Sequence, residues 1–165
     1  VKDASLAIVP DFNNEVLLVK RRDVPVWVLP GGGIEPMETA EIAAERETFE
    51  EAGVDVKVVT HIATYLPVNR FTSTTHLFEC HPAAPITLKL QDEEVSDAQF
   101  FSLTSLPPEL LPLHKGFINE WQSGKSFPIV RPLTEASYSA LFFLLLRYPL
   151  WSLKYLWTRW ISTRL

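Results

Sequence analysis

A chain of 165 residues is long enough for one domain with a core and a short appendage, and too short for two full domains. Apolar residues make up 47% and charged residues 21%, an ordinary globular balance that argues against disorder. The formal net charge of -5 comes without a dense block of Lys and Arg, which argues against an unaided grip on polyphosphate or nucleic acid; phosphate chemistry here would need a cation as intermediary.

Taken in chain order, residues 5–9 and 16–19 are short apolar runs separated by Asp11-Phe12-Asn13-Asn14, a turn-rich cluster that predicts a β-hairpin. The opening residues lack the basic start and long apolar core of a signal peptide, and the absence of an initial Met leaves room for a segment upstream. Residues 24–29 are again apolar and are stopped by Pro30 and three glycines. From 39 to 52 there is no Gly or Pro, and Ala, Glu, Arg and Ile dominate, which predicts a helix; Thr39 can cap its start and Gly53 can supply a left-handed cap at its end. Residues 54–66, 71–79 and 97–103 read as strands of a mixed sheet. Residues 113–121 read as a second helix, with Phe117, Ile118 and Trp121 at helical spacing. There is no internal repeat. This order predicts an α/β sandwich over residues 1–130.

Residues 131–165 are set apart as an extension. From 138 onward the chain is crowded with Leu, Phe and Trp, its only charges being Arg147, Lys154, Arg159 and Arg164, and Pro149 is placed to separate two helices. Trp151, Trp157 and Trp160 interleaved with those bases would suit a membrane interface. The charges interrupt the run too soon for a comfortable span of about 20 residues. Cover for the domain or a homodimer contact is the reading favoured here.

The informative segment begins Leu29-Pro30-Gly31-Gly32-Gly33 and continues to Glu38 and the run Arg46-Glu47-Thr48-Phe49-Glu50-Glu51-Ala52-Gly53-Val54. On a helix, Glu47, Glu50 and Glu51 share one face because they are three and four residues apart. Like charges at that spacing cost helix stability. A sequence that breaks a local rule so plainly is often building a site, and three converging carboxylates suit a hard cation such as Mg²⁺. The glycines let the backbone pass close to the helix, where a carbonyl could join the metal shell. Ala40, Ala43 and Ala44 leave room for that approach, with Ile42 and Phe49 directed into a core. A solvated acidic face with an Arg46–Glu50 surface pair would be the plainer account, but it explains neither the glycine loop nor Glu38.

This stretch resembles the Nudix (MutT-like) box, whose pattern is G-x5-E-x7-R-E-U-x-E-E-x-G-U with U aliphatic. Gly32, Glu38, Arg46, Glu47, Glu50, Glu51, Gly53 and Val54 fall in register, and Thr48 stands where the first aliphatic residue is usual. The resemblance implies a Nudix-type α/β/α sandwich with a mixed central sheet. It implies Mg²⁺, with Mn²⁺ as substitute, held by Glu47, Glu50, Glu51 and the carbonyl of Gly31. Arg46 would orient the carboxylates and Glu38 would support loop and helix from behind. The implied reaction is attack of water at phosphorus in a diphosphate linkage.

The general base in this family comes from the box or from a downstream acidic loop. Asp92-Glu93-Glu94 is either such a loop, with Glu94 the candidate, or simply solvated. Arg21 and Arg22, with Gly32, are candidates for substrate phosphates, although Lys20, Arg21 and Arg22 also read as solubilising surface.

His76 reads as a structural histidine, and His61, His81 and His114 show no metal-ligand spacing. Cys80, the single cysteine, excludes an internal disulfide, suits a reducing cytoplasm and shows no sign of activation.

The substrate branch is set outside the box. Pro30-Gly31-Gly32 resembles the ADP-sugar and general nucleotide branches, rather than those with a lysine after the proline. The upstream motif of the coenzyme A branch is absent, and the spacing of Tyr65 and Pro67 matches no subfamily. The expected substrate is a nucleoside diphosphate linked to another group, such as ADP-ribose or a nucleotide sugar, with a nucleoside triphosphate next. A catalytically silent sensor or a membrane-recruited protein is the alternative, opposed by the intact set of box glutamates.

Overall fold

The computed structural model describes residues 2–90, 93–124 and 126–138. Its strands are β1 (Ala4–Ile8), β2 (Glu15–Arg21), β3 (Trp27–Val28), β4 (Gly31–Gly33), β5 (Val56–Leu66), β6 (Thr75–Pro82), β7 (Val95–Ser102) and β8 (Ile129–Pro132), with helices α1 (Ala40–Ala52) and α2 (Pro112–Gln122). Five strands form a mixed sheet in the order β4-β1-β6-β5-β8, in which β1 and β6 run parallel, as do β5 and β8. The other three form an antiparallel sheet, β3-β2-β7.

The core has two compartments, and strand alternation sorts residues between them. Leu6, Ile8, Leu18 and Leu77 join Phe117 and Ile118 of α2 in one, while Ala7, Val9, Leu17, Val19 and Phe78 join Ala44 and Ala52 of α1 in the other. Helices thus back opposite faces of the mixed layer, the α/β/α arrangement expected. Because β1 and β2 bury side chains on both faces, each reads as a continuous apolar run without alternation.

Two expectations need correction. Residues 5–9 and 16–19 do not pair along their length as a β-hairpin: β1 and β2 belong to different sheets, and antiparallel pairing is confined to the neighbourhood of the Asp11–Asn14 turn, where a Pro10–Val16 bridge and the bonds from Leu17 N–H to Val9 O and from Asp11 N–H to Glu15 O (both 3.0 Å) join the two sides. The Asx turn is real, with Asp11 accepting the N–H groups of Asn13 and Glu15, but the buried edges of both strands pair elsewhere. Nor do Ile42 and Phe49 enter a core. They are 54% and 47% exposed, whereas Ala43, Ala44, Thr48 and Ala52 are buried, so α1 docks through its small residues and lies close to the sheet.

The folded unit continues past residue 130. β8 crosses that position, and Leu133 and Ala136 reach the core. The two helices expected around Pro149 lie outside the described residues. Among those that are described, no helix is long and apolar enough to cross a membrane.

Candidate active site

The site begins with how α1 is started and stopped. Thr39 Oγ1 accepts the Ile42 N–H at 3.3 Å, satisfying one orphan donor of the first turn. Gly53, at φ 72°, ends the helix by donating its N–H to Phe49 O (2.8 Å). Between these caps the register is fixed, and with it the face that carries the acidic residues.

The three glycines do not form a free loop; they are strand β4, paired antiparallel with Ala4, Ser5 and Leu6. Gly31 has φ 146°, and a Cβ there would run into the Ser5 carbonyl and Leu6. At Gly32 a Cβ would lie 2.5 Å from the Glu47 carboxyl carbon. Glycine at these positions brings the acidic helix against the strand.

Arg46 is the hub. Its Nε and Nη2 donate to the two oxygens of Glu38 (2.8 and 3.0 Å), and Nη2 also donates to Gly33 O (3.1 Å). Its Nη1 donates both to Glu47 Oε1 (2.8 Å) and to Glu50 Oε2 (3.0 Å). Glu38 in turn accepts the Glu35 N–H at 3.0 Å, so it ties the segment before α1 to the helix. The Arg46 hydrogen bonds hold the Glu38 carboxyl below its usual range, and the surrounding carboxylates, Glu38 foremost, hold the guanidinium protonated. Glu51 Oε2 accepts the N–H of Gly31 (2.8 Å), joining the third glutamate to the strand.

The donor set suits a hard divalent cation. Glu47 and Glu50 already converge on a single charged nitrogen, and every side chain offered is a carboxylate. Among the described residues no three His, Cys, Asp or Glu side chains are placed to enclose a metal unaided. Mg²⁺ does not require that, since it is commonly bound through one or two carboxylates with water and phosphate oxygens completing its shell.

A match to the NUDIX domain family extends over residues 2–121. The chain belongs to the Nudix family. A described 8-oxo-dGTP diphosphatase (putative) of Bacillus subtilis (strain 168) is 34% identical over 120 residues, covering 73% of this chain and 79% of the relative. Diphosphoinositol polyphosphate phosphohydrolase 3-alpha of Mus musculus is 46% identical over 56 residues, only 33% of this chain and 34% of that protein. Among solved structures, a Nudix hydrolase from Nitrosomonas europaea superposes with a TM-score of 0.66 at 25% identity, covering 79% of this chain and 77% of that one. The Nudix chain is, accordingly, a pyrophosphohydrolase.

The remaining candidates of the Nudix chain sit as follows. Arg21 makes a two-bond ion pair with Asp23 (2.9 and 2.8 Å) just past the end of β2, and Arg22 braces β2 against β7 by giving its Nη2 to Val95 O (3.0 Å). Glu94 is exposed beside them, its carbonyl accepting the Arg22 N–H at 2.8 Å. Asp92 lies outside the described residues. Cys80 is buried, and burial pushes its thiol up to about 12, an inert setting.

Histidines show what spacing alone missed. His61 and His76, fifteen positions apart, come together across β5 and β6 with ring centroids 5.9 Å apart. Thr64 Oγ1 bridges His61 Nε2 (3.0 Å) and His76 Nδ1 (3.3 Å). With Asp3, Glu38, Glu41 and Phe78 they line an open cavity of about 570 Å³ beside the start of α1. His114, on α2, accepts the Leu29 N–H at its Nδ1 (3.0 Å). The only available signal was that each lies on a predicted strand or helix; which residues meet depends on a register interrupted by two irregularities in β5.

Proposed function

We propose that this Nudix domain hydrolyses a diphosphate linkage in a nucleotide with the help of Mg²⁺, water attacking at phosphorus. The observation that carries the reading is the convergence of Glu47 and Glu50 on Arg46 Nη1, packed against Gly32 with Glu51 anchored on Gly31. Glu47, Glu50, Glu51 and the Gly31 carbonyl would hold the ion. Bound there, it would reverse the local negative field and supply Lewis-acid chemistry to a phosphoryl oxygen.

The other roles belong to the chain itself. Arg46 keeps Glu47 and Glu50 aimed at one point, and Glu38 fixes Arg46 through two parallel hydrogen bonds. Glu94, on the exposed approach to β7, is our candidate for the base that takes the proton of the attacking water. Arg21 and Arg22 lie near that same end and would contribute positive field, with Arg21 partly balanced by Asp23.

Among substrates, the 34% identical Bacillus relative, described as a putative 8-oxo-dGTP diphosphatase, brings a nucleoside triphosphate level with the nucleotide sugars and ADP-ribose favoured by the glycine motif. The test is product release from 8-oxo-dGTP, dGTP, ADP-ribose and UDP-glucose, with Mg²⁺ or EDTA, in wild type and Glu50→Gln. Metal-dependent turnover that falls about a hundredfold in the variant, roughly 2.7 kcal/mol of transition-state stabilisation, is the expected result. Failure of all four substrates, in protein shown to bind metal, would move the reading to a nucleotide sensor.

A further inference from the structure

We propose that residues 139–165 of this same chain fold back onto the part of the mixed sheet that α1 leaves bare at β5 and β8, with their basic side chains toward its acidic border.

Pairing register fixes which side chains share that face. Thr64 and Leu66 of β5 lie beside Val130 and Pro132 of β8, and Thr64 lies beside His76 of β6. The alternate residues Tyr65 and Arg131 turn to the other face, where both bond to Glu120 of α2. The α1 side is less well covered. A helix with its side chains is about 10 Å across and strands lie about 4.8 Å apart, so one helix covers about two strands. α1 is taken up by β4 and β1, where Gly32 meets Glu47 and Ser5 Oγ donates to Ala40 O (2.6 Å). It meets β5 near the start of that strand, Glu45 accepting from Val58 N–H (3.0 Å) and Lys57 Nζ (2.6 Å). Toward the other end Leu66 is 42% and Val130 63% exposed. The open cavity lined by Glu41, His61 and His76 adjoins this face through Thr64.

The occupant is indicated by where the chain goes, by apolarity and by charge. After β8, Leu133 and Ala136 enter the core, and Asn69 Nδ2 donates to Ala136 O (2.7 Å). The Tyr138 ring then packs edge-on against Phe71, in the connection between β5 and β6, at 6.0 Å. Both rings are half exposed and stand at the Leu66 end of the bare face, so the segment that follows is tethered at its border, at high effective concentration. Residues 141–146 are Leu and Phe without interruption and gain by leaving water. Residues 139–165 carry Arg147, Lys154, Arg159 and Arg164 and no acidic side chain, so the formal -5 of the chain divides into +4 there and -9 over residues 1–138. Of the acids lining the cavity, Glu38 is taken up by Arg46, which leaves Asp3 and Glu41, with Lys2 beside them, to meet a base from the segment. Ile42 and Phe49 of α1 are exposed as well, but they stand about two helical turns apart with Glu45 between them, a scattered pair rather than a patch.

Photocrosslinking in the full chain reads the contact itself. With p-benzoylphenylalanine in place of Val130, irradiation should join that position to a peptide within 139–165, in monomeric protein and at a yield unchanged by about tenfold dilution. The same group in place of Phe12, beyond the opposite end of β1, should give little such product. Equal yields from the two positions, or no product from Val130, overturn the proposal. A product found only in covalent dimers overturns it in favour of a second copy. No product from Val130 in a chain that sediments with phosphatidylcholine–phosphatidylserine vesicles overturns it in favour of a membrane surface. Hydrogen exchange gives an independent reading: in the double variant Leu66→Asp with Val130→Asp, amides of 139–165 should exchange about tenfold faster than in wild type while those of α2 keep their protection. Unchanged exchange in 139–165 overturns the proposal; should α2 lose protection too, the variant has failed to fold and the cross-link from Val130 decides.

Discussion

Gly32 and Glu47 contend for one space: a Cβ on Gly32 would come within 2.5 Å of a Glu47 carboxylate oxygen and 2.5 Å of its carboxyl carbon. What yields in that clash is the free end of a side chain rather than backbone. Gly32→Ala should therefore fold, with its melting temperature close to wild type, while displacing the carboxylate. A misplacement of this kind should lower kcat/KM about a hundredfold. Gly31→Ala should behave in the opposite way, because there the Cβ meets backbone and φ is 146°. Urea unfolding should show a loss of about 2 kcal/mol or more. Equal stability losses in both variants would remove Glu47 from this account.

The Glu38–Arg46 pair predicts an acid-dependent term in stability. Arg46 holds Glu38 below its ordinary value of 4.5, so the stabilisation is complete above that value and is lost as pH falls through the lower, folded one. Urea midpoints of wild type and Glu38→Gln should thus differ most at about pH 7 and draw together below about pH 4. A gap that stays constant with pH would mean that the pair is not what stabilises this end of α1.

Much of this centre was legible in the sequence because its requirements are local. Thr39 and Gly53 bracket α1 through bonds spanning three or four residues, and the acidic face follows from helical geometry alone. What failed was each inference needing a partner from far along the chain. The Asp11 turn was correctly located, but only the pairing of β1 with β6, and of β2 with β7, decides that the hairpin pairing does not extend along the strands. Ile42 and Phe49 were assigned inward on hydrophobicity, whereas close approach of α1 to the sheet selected the alanines. The histidine contacts were invisible for the same reason, since cross-strand register is not written in either strand by itself.

Thr48 stands at an aliphatic position of the box and is fully buried, yet its hydroxyl is not in want of a partner: Oγ1 donates to Ala44 O at 2.7 Å, one helical turn back. Thr48→Val keeps the shape and removes the donor together with its need for an acceptor. Stability should change by less than about 1 kcal/mol and turnover should be unaffected. Thr48→Ser, which deletes the packed methyl but keeps the hydroxyl, should cost about 1 kcal/mol by urea unfolding. The reverse order would show that the hydroxyl, not the methyl, matters to the box helix.

Arg131 fastens the far edge of the mixed sheet. Its guanidinium donates to both oxygens of Glu120 on α2 (3.1 and 3.0 Å) and both of Glu135 (2.9 and 2.8 Å), and it lies 4.8 Å from the centre of the Tyr65 ring on β5. Tyr65 donates its hydroxyl to Glu120 Oε2 at 2.6 Å. Removing one member should therefore be worse than removing two. Arg131→Leu strands Glu120, whose side chain is only 13% exposed, and should cost about 2–3 kcal/mol, the lower part of the range for a broken buried pair because solvent still reaches it. Tyr65→Phe removes one hydrogen bond from a carboxylate that keeps its arginine, and should cost about 1 kcal/mol. In the double variant Arg131→Leu with Glu120→Leu, the stranded charge is gone, so the loss should be smaller than for Arg131→Leu alone. Urea unfolding of wild type, Arg131→Leu, Glu120→Leu and the double variant closes the cycle. Additive losses would mean that Arg131 and Glu120 hold β8 and α2 independently; a recovery in the double variant would show that the cost lies in the unpaired carboxylate.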